Sequence, residues 1–506
     1  MKKNDLDTAF ETAVDLLLCF LFTFLIFGFF DIRKLGVYSD DWERHSSYST
    51  YTKNNPIADS ISFTKDFPFV LYRAPQLPLF TLTAFINNSS DSGVSGFAYV
   101  NFILNFFIIF VLYSILKIQY KDRRLAIFSS FFIGSIFGRD STIFWGSTQP
   151  ILLSVLLFLI IILLLVKDRG SLLVYFLVTI FSVWSYELSI VIPIFILLYG
   201  YIKKRRVDKE TIRKAFVTSL SVLLVVIFKF YIFPIYITPS LKASSLSDAI
   251  ILPSLRNVLY SGRLFLEVNP LVNYIRYSTK IIFKYVVETV VFLSSIFFLL
   301  LPIGHKVNKI NNEESRNDEV LFCGLFLFTL STIVINILGF NTSVLGKENR
   351  VLILPVIGFG FIVLYFLALI KNKLLLFIFL ILLTSLNTGL LAFSRERYIE
   401  SQYIQENTMQ NLRANRDIWL LENPGVVVYI YNTVNFLEFG IPVFDEYWTT
   451  MYFMRVATGN PTIEGYYIKD PDKINLKSKW NHDVISKDRV YLYDVGSDIL
   501  YKYDDK

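Results

Sequence analysis

Long apolar runs separated by short polar segments are the dominant pattern of this 506-residue chain. A membrane-spanning helix needs about 20 apolar residues, and about 17 are tolerated. Eight runs reach that length, and each predicts one spanning helix: Val14–Phe30, Tyr99–Ile118, Pro150–Val166, Phe216–Tyr236, Ile281–Pro302, Val320–Gly339, Val351–Ile370 and Leu374–Phe393.

Two further apolar runs do not correspond to one full crossing each. Leu125–Phe137 is short, whereas Ser171–Tyr201 is too long and is interrupted near its middle by Trp184-Ser185-Tyr186-Glu187. All short basic segments fall on one side of the membrane only if Leu125–Phe137 crosses once and Ser171–Tyr201 forms a hairpin of two short helices. Because basic loops mark the cytoplasmic side, the pattern predicts about 11 transmembrane helices and a cytoplasmic N-terminus.

Three longer segments then lie on the outer side: the first loop (residues 31–98), the loop Ile237–Lys280 and the tail. The tail begins with a predicted polar helix, Arg395–Glu422. Strand-like runs follow at Val426–Tyr431, Val490–Tyr493 and Ile499–Tyr503, and turn residues separate them. We therefore predict a membrane domain over residues 1–393 and a small extracytoplasmic α/β domain over residues 394–506.

Composition and charge agree with this division. The chain is 54% hydrophobic and 18% charged, with a mean hydropathy of +0.50, whereas soluble proteins have about 25% charged residues. These values exclude a soluble enzyme and a disordered protein. The net charge of +7 combines a basic membrane part with a tail that has 13 basic and 17 acidic residues, as expected for two regions in two environments.

The first outer loop carries the most informative polar string, Asp40-Asp41-Trp42. One interpretation is an ordinary solvated interface with Trp42 in the aromatic belt. The other is catalytic: one carboxylate accepts a proton from an attacking hydroxyl, and the other orients that hydroxyl or holds a cation.

Two other outer turns repeat the combination of a carboxylate with tryptophan. Asp140 precedes Trp145, and Trp184 precedes Tyr186-Glu187. Sugars fit such turns, because their hydroxyls are bound by acceptors and their apolar faces stack on aromatic rings. Asp140, Glu187, Trp42, Trp145 and Tyr186 are therefore candidate substrate-binding residues.

Basic residues on the outer side predict a phosphate site. Lys347 and Arg350 lie at the mouth of the tenth predicted span, where an arginine runs against the usual charge bias, and guanidinium matches phosphate geometry. Lys229 lies inside a predicted span, where a charge is costly and often functional; an alternative is that it extends to the interface. Neither the GxxxxGK[ST] nor the GxGxxG pattern of nucleotide sites occurs in the chain.

The chain resembles a family in these features. A cytoplasmic N-terminus, a long first outer loop with Asp40-Asp41 just after the first span, short central helices and an outer tail resemble the GT-C class of integral-membrane glycosyltransferases. The string Ser39-Asp40-Asp41-Trp42, followed by Tyr72-Arg73-Ala74-Pro75 before Pro78-Leu79, looks most like the bacterial serotype-converting glucosyltransferases of O-antigen in lipopolysaccharide. The likeness in layout covers most of residues 1–393.

The resemblance implies an inverting transfer of a sugar from a polyprenyl-phosphate donor to a hydroxyl of a surface glycan or glycolipid. It also implies a multi-pass protein of the inner (plasma) membrane. Asp40 or Asp41 would be the general base, Asp140 the second acidic residue and Arg350 the ligand of the lipid phosphate. Membrane lipids are expected partners, and nucleic acid is not. No cofactor is certain, and a divalent metal held by Asp40, Asp41 and Asp140 is an open alternative.

Two other functions compete with the glycosyltransferase. A transporter or lipid flippase needs charged or helix-broken sites near the membrane midplane, in paired halves of the chain. A surface-polysaccharide polymerase also uses polyprenyl-linked sugars, but its large outer loop is expected late in the bundle rather than after the first span.

Overall fold

Helices make up most of the computed structural model of this chain. The model describes residues 3–28, 31–38, 68–89, 95–233, 285–300, 314–337 and 346–415 and, in the tail, residues 426–431, 433–434, 436–437, 441–444, 447–460, 462–469, 474 and 489–503.

The described helices, numbered in chain order, are α1 Lys3–Phe27, α2 Leu77–Ser89, α3 Gly96–Tyr120, α4 Arg123–Ser135, α5 Asp140–Phe144, α6 Gln149–Val166, α7 Leu172–Ser185, α8 Ile192–Lys204, α9 Lys209–Ile227, α10 Val287–Leu300, α11 Glu314–Ile337, α12 Ile353–Ala368, α13 Lys373–Ala414 and α14 Tyr447–Thr458. Helical turns of 3₁₀ type occur at Asp31–Lys34, Pro68–Gln76, Gly146–Thr148, Glu187–Val191 and Gly346–Leu352.

Within these described segments, six helices are long and apolar enough to cross a membrane, and they make this a chain of multi-pass character. They are Phe10–Phe27, Gly96–Tyr120, Gly146–Val166, Asp318–Ile335, Asn349–Ala368 and Lys373–Ala414. The predicted number of about 11 stays a prediction, because parts of several predicted spans lie outside the described residues.

The predicted interruption of Ser171–Tyr201 is confirmed. Helix α7 ends at Ser185, Tyr186 is extended, and α8 begins at Ile192 after a single 3₁₀ turn. The serine hydroxyls of α6, α7 and the turn bond to one another: Ser182 donates to Ser189 at 2.8 Å, and Ser154 lies 2.7 Å from Ser189. Such hydroxyl contacts join helices where no water competes, so this break is fixed in place.

Helix α3 lies at the centre of the bundle and packs against α1, α2, α4 and α6. Helices α11 and α12 pack against each other at two glycines. A Cβ atom on Gly358 would lie 2.4 Å from the backbone nitrogen of Phe328, and one on Gly324 would lie 2.8 Å from the backbone nitrogen of Ile362. Glycine at both positions lets the two backbones approach.

A buried ion cluster joins three helices at the end that the charge pattern predicts to be cytoplasmic. The Asp15 carboxylate of α1 is 3.1 Å from Lys117 Nζ of α3 and 2.6 Å from Arg123 Nε at the start of α4. Tyr113 also donates its hydroxyl proton to Asp15. These bonds fix α1, α3 and α4 to one another.

Helix α13 has 42 residues, which is about 63 Å at 1.5 Å per residue. Its apolar first half and its polar second half form one helix through residues 393 and 394. The predicted boundary between two domains lies at that point, and the division into domains stays a prediction.

The tail contains a four-stranded sheet of order β4-β1-β5-β6, formed by β1 Val427–Tyr431, β4 Glu464–Tyr467, β5 Val490–Asp494 and β6 Ile499–Lys502. Strand β1 is parallel to β4 and β5, with Val427 opposite both Glu464 and Val490, and β5 and β6 are antiparallel. A short pair, β2 Phe436–Leu437 and β3 Ile441–Pro442, stands apart. The three predicted strand runs are confirmed, and α13 and α14 pack together beside the sheet.

Candidate functional site

Asp140 is the centre of a buried hydrogen-bond network. It begins the short helix α5 and is fully buried. Asn349 donates its side-chain N–H to one carboxylate oxygen, and Ser394 Oγ donates to the other at 2.8 Å. The backbone N–H of Ser141 donates to Asn349 Oδ1 at 3.3 Å. Both oxygens of Asp140 are therefore bonded to protein donors, and they tie α5 to the turn before α12 and to α13.

Burial changes the charge balance of this network. It raises the pKa of Asp140 to about 6, although the bonds from Asn349 and Ser394 act in the opposite direction. The neighbouring Arg139 is also fully buried, and burial lowers its pKa to about 10. Its Nη2 donates to Asn105 Oδ1 at 2.6 Å. Among the described residues, Nε and Nη1 of Arg139 have no hydrogen-bond partner.

Trp145 and Arg350 lie directly beside this network. Trp145 is fully buried, and the Arg350 guanidinium carbon lies 5.0 Å from the centre of its ring. The loop that holds Trp145 is fixed by Asn101, which donates to the backbone oxygens of Ile143 and Trp145 at 3.2 and 2.9 Å. Arginine over an indole ring is a favourable cation–π arrangement, and the predicted tryptophan and arginine are thus brought together.

The indole N–H of Trp145 donates to the backbone oxygen of Tyr38 at 2.9 Å. Tyr38 is fully buried, and its ring lies edge-on to Tyr398 of α13 with centroids 4.9 Å apart. Asp40 and Asp41 follow Tyr38 by two and three residues in the sequence. The chain that leads to the acidic pair is therefore bound to the Trp145 loop.

A second group, here named the Arg73 cluster, consists of Tyr72, Arg73, Tyr186, Glu187 and Lys229. Lys229 Nζ lies 2.6 Å from Glu187 Oε1, and Arg73 Nη2 lies 4.0 Å from Glu187 Oε2. The cations also face aromatic rings: Arg73 is 4.6 Å from the Tyr186 ring centre, and Lys229 is 4.7 Å from that of Tyr72.

Lys229 does not extend to the interface, which was one of the two alternatives. Its side chain is only 1% exposed, because it points toward Glu187 at the break between α7 and α8. Burial acts to raise the pKa of the Glu187 carboxyl, but Lys229 and Arg73 outweigh it and hold that pKa below its usual range. The ion pair explains why a lysine is kept inside a predicted span.

Arg350 and the Arg73 cluster belong to one electrostatic region. Burial raises the pKa of the Tyr186 hydroxyl, and the charges of Arg73 and Arg350 both act to lower it. Arg73, Lys229 and Arg350 thus bring three cationic groups to this region, and Glu187 and Asp140 bring two carboxyl groups. Such a balance favours an anionic ligand.

The predicted site residues are distributed as follows. Asp140, Trp145 and Arg350 meet in the first network, and Tyr186 and Glu187 meet in the Arg73 cluster. Lys347 lies in the 3₁₀ turn Gly346–Leu352. Asp40, Asp41 and Trp42 lie outside the described residues.

Sequence reasoning missed the two residues that hold Asp140. Asn349 stands between the predicted basic residues Lys347 and Arg350, so the polar string at the span mouth carried a usable signal. Ser394 carried none, because it follows an apolar run and is 254 residues from Asp140 in the chain. Within the described segments, no three His, Cys, Asp or Glu side chains are grouped so as to hold a metal ion.

No protein-family model matches the chain, and no curated protein matches it. Among solved structures, the chain is similar to the Archaeoglobus fulgidus oligosaccharyltransferase in its crystal structure with Zn and sulfate, with a TM-score of 0.44 and 10% sequence identity. The match covers 92% of this chain and 63% of the other, so the chain spans less than two thirds of the length of that enzyme.

Proposed function

We propose that this chain is an integral-membrane glycosyltransferase. It transfers a sugar from a polyprenyl-phosphate donor to a hydroxyl of a surface glycan on the outer side of the inner membrane. The observation that carries the proposal is the bond from Trp145 to the backbone of Tyr38, beside the Arg350 guanidinium. It directs the chain that precedes Asp40 and Asp41 toward the region with three cations.

The acceptor needs a base, because a sugar hydroxyl is a poor nucleophile at neutral pH. Asp40 or Asp41 takes the hydroxyl proton as the oxygen attacks the anomeric carbon of the donor. The bond from that carbon to the phosphate oxygen breaks at the same time, and the configuration inverts. Consecutive Cα atoms are about 3.8 Å apart, so two or three residues after Tyr38 are enough for a carboxylate to reach the Trp145 loop.

The leaving group needs cations. Polyprenyl phosphate gathers negative charge as it departs, and fixed guanidinium groups stabilise that charge without reorganisation. Arg350 lies against Trp145, and Arg73 lies against Tyr186. Both arginines are therefore assigned to the donor phosphate, and Trp145 and Tyr186 to the sugar.

Asp140 is assigned a positioning role rather than a direct contact with substrate. Its two oxygens already accept bonds from Asn349 and Ser394, and Asn349 immediately precedes Arg350. The carboxylate thus fixes the turn that presents the guanidinium. A role of Asp40 and Asp41 as metal ligands stays a prediction.

The test is the mass of the surface glycan in cells that express the wild type or the Asp40→Asn/Asp41→Asn double variant. We expect a hexose-sized addition with the wild type and none with the variant. Asp59→Asn/Asp66→Asn is the matched control, since it removes two charges from the same outer loop. Arg350→Ala should also lower the binding of a synthetic polyprenyl-phosphate glucose to the purified protein.

The other functions give different outcomes. A polymeric product instead of a single added sugar would favour the polymerase. Equal glycan mass for wild type and the double variant, with both proteins inserted, would reject the transferase and leave the transporter.

A further inference from the structure

The segment Ile32–Tyr38, here named the lead segment, joins the first helix to the acidic pair and is held on several sides. Four of its side chains, Ile32, Leu35, Val37 and Tyr38, are at most 3% exposed. Helix α1 ends before Gly28, and Arg395 of α13 donates to the backbone oxygen of Ile26 at 3.0 Å. Arg395 Nη2 also lies 3.4 Å from Asp31 Oδ2, so the residue that precedes the lead segment is fixed against α13.

Gln402, one turn beyond Tyr398 on α13, holds the middle of the lead segment. Its Oε1 accepts the backbone N–H of Val37 at 3.1 Å, and its Nε2 donates to Glu406 Oε1 at 2.9 Å. Gln402 is 3% exposed. Water therefore does not replace it as a partner of the Val37 amide.

Gly36 permits this contact. A Cβ atom at that position would lie 2.1 Å from Cδ and Oε1 of Gln402, so the side-chain amide lies flat against the backbone. The N–H of Gly36 donates to the hydroxyl of Tyr38 at 3.1 Å. Two consecutive backbone N–H groups are thus bonded to side chains, and neither takes part in a helix or sheet.

The end of the lead segment is held by the membrane part and by the tail. Tyr38 accepts the Trp145 indole N–H. Val37 belongs to the apolar core of the tail, in one cluster with Leu412, Val443 and Phe444. Val37, three residues before Asp40, thus contacts the tail, and the next residue, Tyr38, contacts the Trp145 loop.

We propose that Gln402 is a positioning residue for the transfer reaction. It fixes the backbone of Gly36 and Val37 and so sets the place where Asp40 and Asp41 enter the site. The inference rests on the proposed function, because it assigns the base to this acidic pair. Through Gln402, the polar second half of α13 helps to position the proposed base.

The test compares Gln402→Met with a variant that restores an acceptor for the Val37 N–H and with a control that leaves Gln402 unchanged. Gln402→Met keeps the side-chain volume but removes the acceptor. The exchanged pair Gln402→Glu/Glu406→Gln keeps an acceptor for Val37 and a donor–acceptor pair between the two helix positions. Gln410→Met is the matched control, since Gln410 is exposed on the same helix. Gln402→Asn, which is too short to reach Val37, replaces Gln402→Met if that protein does not fold.

Three measurements are made on the full-length protein: glycan transfer in cells, binding of polyprenyl-phosphate glucose, and hydrogen exchange of the peptide that contains Val37. We expect Gln402→Met to lower transfer by about 10- to 100-fold, because small misplacements of a catalytic group have effects of that size. Donor binding should stay within about twofold of wild type, since Arg73 and Arg350 are untouched. Exchange at Val37 should rise, and the exchanged pair should restore both transfer and protection.

Wild-type transfer by Gln402→Met and Gln402→Asn would overturn the inference. So would an equal loss of donor binding and transfer that the exchanged pair does not restore, because that pattern belongs to a general loss of structure. The double variant Asp40→Asn/Asp41→Asn separates the two proposals: if it transfers sugar as wild type does, the proposed function fails instead.

Discussion

Asp140 illustrates how one buried carboxyl links distant parts of the chain. Its partners Asn349 and Ser394 are 209 and 254 residues away. Asn349 lies in the polar string at the span mouth, but nothing in the sequence marks Ser394 or pairs either residue with Asp140. The sequence does place Asp140 near Trp145 and marks Arg350 as unusual. The sequence does not show which turns meet in the fold. Each turn has its own polar side chains, and many different pairings between turns would satisfy their hydrogen bonds equally well.

We expect Asp140→Asn to remove a pH dependence of stability. The ordinary pKa of 3.8 rises to about 6 in the folded protein, so the folded state binds the proton more tightly than the unfolded state. The contribution of Asp140 to stability is therefore largest below about pH 4, falls by about 3 kcal/mol as the pH rises to about 6, and is constant above that.

The measurement for Asp140→Asn is thermal unfolding in detergent from about pH 3 to about pH 8, a range that brackets that window. The variant should lose this fall in stability, because an amide does not titrate and Ser394 and Asn349 keep partners. Asp318→Asn, at an exposed carboxylate, is the control and should keep the wild-type profile. A fall of unchanged size in Asp140→Asn would contradict the assignment.

Glu187→Gln should strongly destabilise the protein. It leaves the buried Lys229 ammonium without its charge partner, which costs about 3–5 kcal/mol in buried pairs. Asp168→Asn removes the partner of Lys203 at a carboxylate that is 58% exposed, and exposed pairs contribute about 0–1 kcal/mol. Unfolding temperatures of the two variants check the difference. The double change Glu187→Gln/Lys229→Met should recover part of the loss, and failure to do so would argue against the pair.

At the scale of elements, the pattern of hydrophobic residues predicts more of the helices and strands than the pattern of polar residues does. The break at Ser185 and the strands at Val427, Val490 and Ile499 agree with the sequence. The strand Glu464–Tyr467 was missed, since it is short and contains Gly465, and α14 was missed because its apolar residues are mixed with threonines. Both elements form through contact with the rest of the tail, which local preference does not encode.

The packing of α11 against α12 gives a prediction at this scale. Gly358→Ala places a methyl group 2.4 Å from the backbone nitrogen of Phe328, so the helices must separate. Overpacking of this kind costs about 1–3 kcal/mol. Thermal unfolding measures it, with Phe366→Ala on the exposed side of α12 as the control. Equal stability of Gly358→Ala and wild type would show that the helices have room to move apart.

At the scale of the whole molecule, the tail core reaches into the membrane part. Val37 and Phe97 lie near the two ends of the first outer loop (residues 31–98), and both belong to the cluster built around the sheet and α14. A division between residues 393 and 394 describes the composition of the chain, but the packing crosses it. Composition averages over a segment, whereas this contact depends on single side chains.

Leu412→Ala tests this coupling. Leu412 is fully buried in the shared cluster, and truncation of such a leucine costs about 2–5 kcal/mol. We expect the unfolding temperature to fall and hydrogen exchange of the peptide Ile32–Tyr38 to rise together. Leu369→Ala, at a side chain that is 57% exposed, is the control. A loss of stability confined to the tail peptides would mean that the two parts are independent.

Helix α13 sets the distance between two of the bonds described above. Ser394 reaches Asp140, and Gln402 reaches Val37, so eight residues of one helix separate the two attachments by about 12 Å. Inserting a single residue between them would turn Gln402 by about 100° and carry it away from the lead segment. The length of this stretch is thus a fixed dimension of the molecule, and only changes by whole turns keep the direction of the second bond.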